Sequence, residues 1–160
     1  MDLTNYKPQI AIVYTSVTGN TEQLATMLHQ VAAKRFSTVG IYQVEEFPEA
    51  ELCRYDAVLV GTYTWGSGEI PKEMKHLYEA FEHAGSKKLV TAVFGSGDRF
   101  FADFCGAVDR FRDMLYVHTE LAATLKVELS PQEKDHARCE RLMEVVLKRL
   151  ALQKTGARVE

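Results

Sequence analysis

QIAIVYTSVTGNTEQLATMLHQV, residues 9–31, joins a short apolar run to a helical repeat through a turn of small and hydroxyl-bearing residues. Residues 9–15 are apolar at most positions, which predicts a buried β-strand. Asn20 or Thr21 is expected to cap a following helix. That helix would turn one apolar face inward, formed by Leu24, Met27, Leu28 and Val31. The stretch therefore predicts a strand–loop–helix unit of an α/β domain.

The same alternation of apolar runs and helical patterns continues along the chain. Further strands are predicted at residues 39–44, 56–64, 89–95 and 121–129. Further helices are predicted from Pro71 to about His83, over residues 107–116, and from a Ser130–Pro131 cap with Glu133 to about Leu152. One more helix is expected between the second and third strands, where the pattern is weakest. Right-handed crossovers then give a parallel sheet between two helical layers, a three-layer α/β sandwich.

Length and composition are those of one globular domain. The chain has 160 residues, of which 46% are hydrophobic and 26% charged, so residues 1–160 are expected to form a single domain. Its core would span about residues 9–152, with a frayed tail. The apolar runs are shorter than the roughly 20 residues of a membrane span. The start, MDLTNYKPQ, shows no export signal. A cytoplasmic protein without membrane contact is expected.

Several functional classes are disfavoured by residue content. The three cysteines, Cys53, Cys105 and Cys139, form no CxxC pair, so neither a disulfide framework nor a zinc site is expected. The five histidines show no ligand spacing, and we expect no metal. The formal net charge is −3, which argues against a nucleic-acid partner because such binding needs a clustered basic face.

In an open parallel sheet, ligands bind beyond the carboxyl ends of the strands, so the loop after the first strand is a candidate site. Its residues are Ser16, Val17, Thr18, Gly19, Asn20 and Thr21. Hydroxyl groups and free amides at a helix N-terminus favour a phosphate. The loop lacks the lysine of a Walker motif and lacks GxGxxG, so it suits a terminal monophosphate ester. The alternative is a Ser/Thr-rich helix cap.

Two further loops supply aromatic side chains. TYTWGSGEIP follows the third strand and carries Trp65, which can stack on a planar ligand or cover apolar surface. GSGDRFFADFCGAVD follows the fourth strand and carries Phe100, Phe101 and Phe104. Those rings can form a second wall of an aromatic slot or a satellite core cluster.

Together the three loops resemble those of the flavodoxins. TSVTGNTE is similar to the family's phosphate loop, TxTGNT, and GTYTWGSGEIP is similar to its central loop. GSGDRFFADFCGAVD matches GxGDxxYxxFCGAVD without a gap. The resemblance implies a five-stranded parallel sheet in the order 2-1-3-4-5. The fifth strand leaves no room for a long insertion, as in the short-chain class.

The resemblance also implies a bound FMN. Residues 16–21 would bind its phosphate, Thr64, Trp65 and Gly66 would flank one face of the isoalloxazine ring, and Ser96, Gly97 and Asp98 would meet its pyrimidine edge. Phe101, where the family commonly has Tyr, would cover the other face. Tyr63, Ser67, Asp103, Phe104 and Cys105 complete the expected site. Ser67 replaces an acid frequent in the family, and Arg99 is an unexpected cation beside the ring edge.

The function implied is that of a low-potential one-electron carrier, with no catalytic residue of its own because the flavin carries the chemistry. A flavodoxin/ferredoxin-type reductase would be the electron donor and redox enzymes the acceptors. The alternative is an FMN-dependent two-electron flavin or quinone reductase on the same fold. A receiver-like signalling domain is disfavoured, because no acidic cluster follows the first strand.

Overall fold

The computed structural model describes residues 6–36, 38–100 and 103–156. Its centre is a sheet of five strands in the order β2-β1-β3-β4-β5, with every neighbouring pair parallel. The strands are β1 (Ile10–Tyr14), β2 (Val39–Gln43), β3 (Ala57–Gly61), β4 (Val90–Gly97) and β5 (Glu120–Glu128). The predicted fold class and strand order are confirmed.

Within the described residues, four α-helices cover the sheet in two layers. They are α1 (Asn20–Ala33), α2 (Lys75–Ala84), α3 (Gly106–His118) and α4 (Glu133–Thr155). Helices α1 and α4 pack on one face with Ile10 and Ile12 of β1, and α2 and α3 pack on the other with Ala11 and Val13. Because β1 and β3 are buried at every residue, their sequences are apolar throughout rather than alternating.

The helix expected between the second and third strands is absent from this part of the described chain. Two 3₁₀-helices, Val44–Glu46 and Glu49–Arg54, take its place. Pro48 stands between them and has no N–H to continue a helical hydrogen-bond pattern. Phe47 fills the layer instead, with its ring centroid 5.6 Å from that of Tyr42 and 5.5 Å from that of Tyr55. A few large rings therefore cover the sheet where a helix was expected.

Three helix starts differ from prediction. Gly19, at φ 93°, is the N-cap of α1, in place of Asn20 or Thr21. After Pro71 the chain first makes a 3₁₀ turn, Lys72–Met74, before α2 begins. Helix α4 begins after Gln132, and its capping box joins Gln132 to Asp135 instead of Ser130 to Glu133.

Helix α4 also runs three residues beyond Leu152, and the end of the predicted tail, residues 157–160, lies outside the described residues. Among the residues described, no helix is both long and apolar enough to cross a membrane.

The α4 capping box gives a direct test of the corrected helix start. The carboxylate of Asp135 is buried and accepts the Gln132 N–H at 2.8 Å. Asp135→Ala is therefore expected to lower the free energy of unfolding by about 1–2 kcal/mol. Glu133→Ala, in the same first turn, should change it by less than about 0.5 kcal/mol. Urea denaturation followed by circular dichroism measures both; equal losses would show that helix-end charge, not capping, matters here.

Candidate functional site

A cavity of about 460 Å³ opens at the carboxyl edge of the sheet, between the loops that follow β1, β3 and β4. Most of the predicted site residues line it. They are Ser16, Val17, Thr18, Asn20, Thr21, Tyr63, Thr64, Gly66, Ser96, Gly97, Asp98, Asp103 and Cys105, joined by Leu129. The three loops singled out in the sequence are therefore brought together at one place.

The first loop presents hydroxyl and amide groups to this cavity. The Gly19 N–H donates to Ser16 Oγ at 3.1 Å, which closes the turn before α1. No side chain caps α1, so the first N–H groups of the helix and the positive end of its dipole are available to an anion. No lysine, arginine or histidine is among the described residues that line the cavity. An anion bound here would be held by neutral donors and the helix end.

A buried hydrogen bond joins the first and third loops. The hydroxyl groups of Thr21 and Ser96 lie 2.9 Å apart, and both residues are almost fully buried. This contact explains why Thr21 does not cap its own helix, because its hydroxyl is turned to the neighbouring loop. The first and third loops, which form two walls of the cavity, are thus fixed relative to each other.

The second loop is a tight turn. Trp65 and Glu69 exchange two backbone hydrogen bonds, of 2.9 and 2.7 Å. Gly66 at φ 53° and Gly68 at φ 92° make the reversal between them, a conformation that side chains disfavour. Ser67 lies exposed at the tip between the two glycines.

Helix α3 holds the second loop against the cavity. A Cβ added to Gly106 would lie 2.6 Å from the Cα of Gly68, so the two backbones can meet only because residue 106 is a glycine. The Ala107 N–H donates to Thr64 Oγ1 at 3.1 Å. Arg110 Nε donates to the Gly68 carbonyl at 2.8 Å. The start of α3 therefore sets the position of the whole turn.

Two predicted aromatic residues do not line the cavity. Trp65 is 60% exposed and lines a neighbouring open groove of about 1110 Å³, with Ile70 and Tyr78. Phe104 lies beneath the guanidinium of Arg99, whose carbon is 4.8 Å from the ring centroid. Phe101, the expected stacking residue, lies outside the described residues.

Arg99 was expected beside the ring edge, and its side chain pairs with a carboxylate at the end of β5. Its Nε lies 3.0 Å from Glu128 Oε2 at the end of β5, and Arg99 is not among the residues lining the cavity. Asp98 and Asp103 do line it. The mouth of the cavity on the side of the third loop is therefore acidic.

A hydrogen-bonded carboxylate supports the wall between the first and second loops. Tyr63 Oη and Thr15 Oγ1 donate to the same oxygen of Glu73, at 2.9 and 3.0 Å. Burial, together with this bond, raises the pKa of Tyr63 to about 12, so the phenol stays a donor at neutral pH. Burial alone would raise the pKa of Glu73, but the bonds from its own N–H, Tyr63 and Thr15 outweigh it and lower the pKa. Glu73 is a structural anion at neutral pH.

Cys105 and Leu129 complete the cavity wall. Cys105 is buried, and burial raises its thiol pKa to about 11, so it contributes a neutral, nearly apolar surface. Leu129 was missed by the sequence analysis, because a leucine at the end of a strand carries no signal of its own. Only the position of β5 beside β4 brings it to the cavity. Among the described residues no cluster of histidine, cysteine and carboxylate groups could hold a metal ion.

A parallel sheet of this order, with a hydroxyl-lined cavity where the strand order reverses, defines a flavodoxin-like domain. The sequence profile described as Flavodoxin matches residues 12–140. The chain is 36% identical to "Probable flavodoxin 1" of Bacillus subtilis over 126 residues, which cover 76% of this chain and 78% of that protein. It is 38% identical over 109 residues to a flavodoxin of Nitratidesulfovibrio vulgaris, covering 66% and 74%.

Solved structures show the same relationship. Oxidised flavodoxin 2 from Bacillus cereus superposes with a TM-score of 0.81 at 33% identity, covering 88% of this chain and 99% of that one. The chain belongs to the flavodoxin family. The unbroken strand Glu120–Glu128 agrees with the short-chain class. Flavodoxins are electron-transfer proteins rather than enzymes.

The charge on Glu73 predicts a pH-dependent contribution to stability. Because its native pKa lies below the ordinary 4.5, the contribution is complete well above pH 4.5 and is lost as pH falls through the lower native value. Glu73→Gln should therefore lower the urea midpoint at pH 7, and the gap to the unsubstituted protein should close toward pH 3.

Glu79→Gln is the control, because Glu79 is exposed on α2 and lines the open groove that Glu73 also lines. It should leave the urea midpoint unchanged at both pH values. A gap for Glu73→Gln that stayed constant with pH would mean that the shape of the side chain matters and its charge does not.

Proposed function

We propose that this protein carries single electrons on an FMN held non-covalently in the 460 Å³ cavity. The observation that carries the proposal is the donor set of the first loop, where neutral hydroxyls and amides meet at the uncapped start of α1. Such a site suits the phosphate of a mononucleotide, because it offers several donors and a favourable dipole without the cation of a triphosphate site. The cavity also lies within the volume range of small-ligand sites.

Each of the three loops would bind a different part of the cofactor. Ser16 through Thr21 would hold the phosphate. Tyr63, Thr64 and Gly66 would meet one side of the flavin ring, and Ser96, Gly97 and Asp98 would present backbone groups to its polar edge. By its place in the third loop, Phe101 would cover the remaining face. Trp65 and Ser67 would contribute from the second loop, and Phe104 from beneath Arg99.

When bound, FMN supplies the redox chemistry, and the protein binds, orients and tunes it. Asp98 and Asp103 line the cavity, and the one nearby cation considered in the sequence, Arg99, is paired with Glu128. The two carboxylates disfavour adding an electron to a ligand here, and the charges of Lys126 and Arg99, which reach the cavity-lining Cys105, oppose this effect in part. The arrangement supports a low reduction potential.

A carrier of this kind needs an electron donor and an acceptor. We propose a flavodoxin/ferredoxin-type reductase as donor, redox enzymes as acceptors, and the cytoplasm as the compartment. The same acidic rim would favour partners with a basic docking face. Neither nucleic acid nor a membrane enters the proposal.

A reduction experiment separates the carrier from a two-electron flavin or quinone reductase. FMN-loaded protein is mixed anaerobically with NADPH, with and without a catalytic amount of such a reductase, and flavin absorbance is followed. The carrier should stay oxidised with NADPH alone and be reduced when the reductase is added. Rapid reduction by NADPH alone, with turnover of an added quinone, would establish the enzyme instead. A mixture lacking the protein corrects for direct reduction of quinone by the reductase.

The phosphate site is tested by comparing FMN with riboflavin, which lacks the phosphate. Thr18→Val keeps the size of the side chain and removes its hydroxyl. It should weaken the binding of FMN by roughly 1.5 kcal/mol, the value of a hydrogen bond to a charged group. The binding of riboflavin should weaken much less. Val17→Ala, also in the cavity wall, is the control and should not discriminate between the ligands. Fluorescence titration gives each Kd; equal losses for Thr18→Val would place the phosphate elsewhere.

A further inference from the structure

Leu129 forms a wall of the cavity that no sequence pattern indicated. The residue lines the cavity but remains 48% exposed, although leucine is among the residues most often fully buried. Its N–H donates to the Gly97 carbonyl at 2.8 Å. This bond places the residue beside the third loop, next to the buried contact between Thr21 and Ser96.

The backbone of Leu129 is in an unfavourable conformation. Leu129 and Cys105 are the non-glycine residues with positive φ in the described part of the chain, each at 54°. Both line the same cavity. A left-handed leucine is strained because its Cβ crowds the following carbonyl. Strain of this kind persists where the surrounding structure holds it, and it concentrates at ligand sites.

Neighbouring contacts hold the segment in place on several sides. Ser130 Oγ donates to Gln23 Oε1 of α1 at 3.3 Å. Arg138 of α4 donates to the Lys126 carbonyl at 2.7 Å. With the bond to Gly97, these contacts tie the end of β5 to both helices and to the third loop. Glycine would adopt the same backbone without strain. The strained backbone is therefore kept together with a leucine side chain that lines the cavity.

We propose that the Leu129 side chain contacts the bound cofactor and packs against the part that FMN shares with riboflavin. The proposal rests on the FMN-binding function argued above. An apolar side chain gains free energy against rings and carbon chains, because both surfaces leave water. It gains nothing comparable against a dianionic phosphate, which loses its hydration. Leu129 should therefore affect FMN and riboflavin by the same factor, unlike Thr18.

Leu129→Ala removes most of the side chain and keeps a Cβ. It should raise the Kd of the apoprotein about tenfold for both FMN and riboflavin, the order expected when a leucine contact is lost. Leu152→Ala is the matched control, because Leu152 lies on α4 with a similar exposure of 43% and is not among the cavity-lining residues. It should leave both Kd values unchanged.

Leu129→Gly tests the strain independently of the cofactor. Because glycine relieves the positive φ, the apoprotein of Leu129→Gly should unfold at a higher urea concentration than that of Leu129→Ala, even though both bind flavin weakly. Circular dichroism of the two apoproteins measures this order. Elsewhere in a protein the ordinary order is the reverse, because glycine loses more conformational entropy on folding than alanine.

The outcomes separate this inference from the proposed function. If the unsubstituted protein binds neither flavin, the proposed function fails. If it binds FMN but Leu129→Ala changes either Kd by less than threefold, the contact is absent and the inference is overturned. If Leu129→Ala raises the Kd for FMN alone, the contact lies at the phosphate and the inference is also overturned. It is also overturned if Leu129→Ala proves more stable than Leu129→Gly. Losses of threefold or more for both ligands, with glycine the more stable, support it.

Discussion

Burial of β1 and β3 on both faces is the constraint on which the rest of the molecule depends. Every residue of Ile10–Tyr14 and Ala57–Gly61 is buried, so neither strand can carry polar chemistry along its length. Polar groups must stand where the strands end. The chain leaves β1 toward β2 and leaves β3 toward β4, in opposite directions along the sheet. That divergence opens the crevice between the loops, and the three polar loops of the sequence line it.

Loop-to-loop contacts connect the walls of the cavity in the described structure. Thr21 and Ser96 join the first loop to the third. Thr64 and Gly68 join the second loop to the start of α3, and Glu73 joins the ends of β1 and β3 through Thr15 and Tyr63. The side chains of Cys53, Cys105 and Cys139 are free thiols. Such a network arranges the site before a ligand arrives, which lowers the ordering cost of binding.

Local pattern predicted the elements well, and tertiary contacts account for what it missed. The apolar run at residues 56–64 and the turn at Gly19 can be recognised from a few neighbouring residues, so the strands and the three loops could be predicted locally. The strand order and most of the cavity lining were predicted only through the resemblance of those loops to the flavodoxins. The cap of α1 could not, because Thr21 bonds to a loop 75 residues away. Arg99 pairs with Glu128 at the end of another strand, a contact that no local pattern could indicate. Leu129 reaches the cavity only through the pairing of β4 with β5.

The position of Trp65 also determines what tryptophan fluorescence measures in this molecule. It is the single tryptophan of the chain, it stands in the Gly-flanked turn beside the cavity, and more than half of it meets solvent. Tryptophan emission therefore describes one loop and its surroundings, with little contribution from the packing of the two helical layers. A change in that emission during denaturation would show when the turn loses its structure. It would measure unfolding of the whole domain only if it coincided with the change in circular dichroism of the backbone.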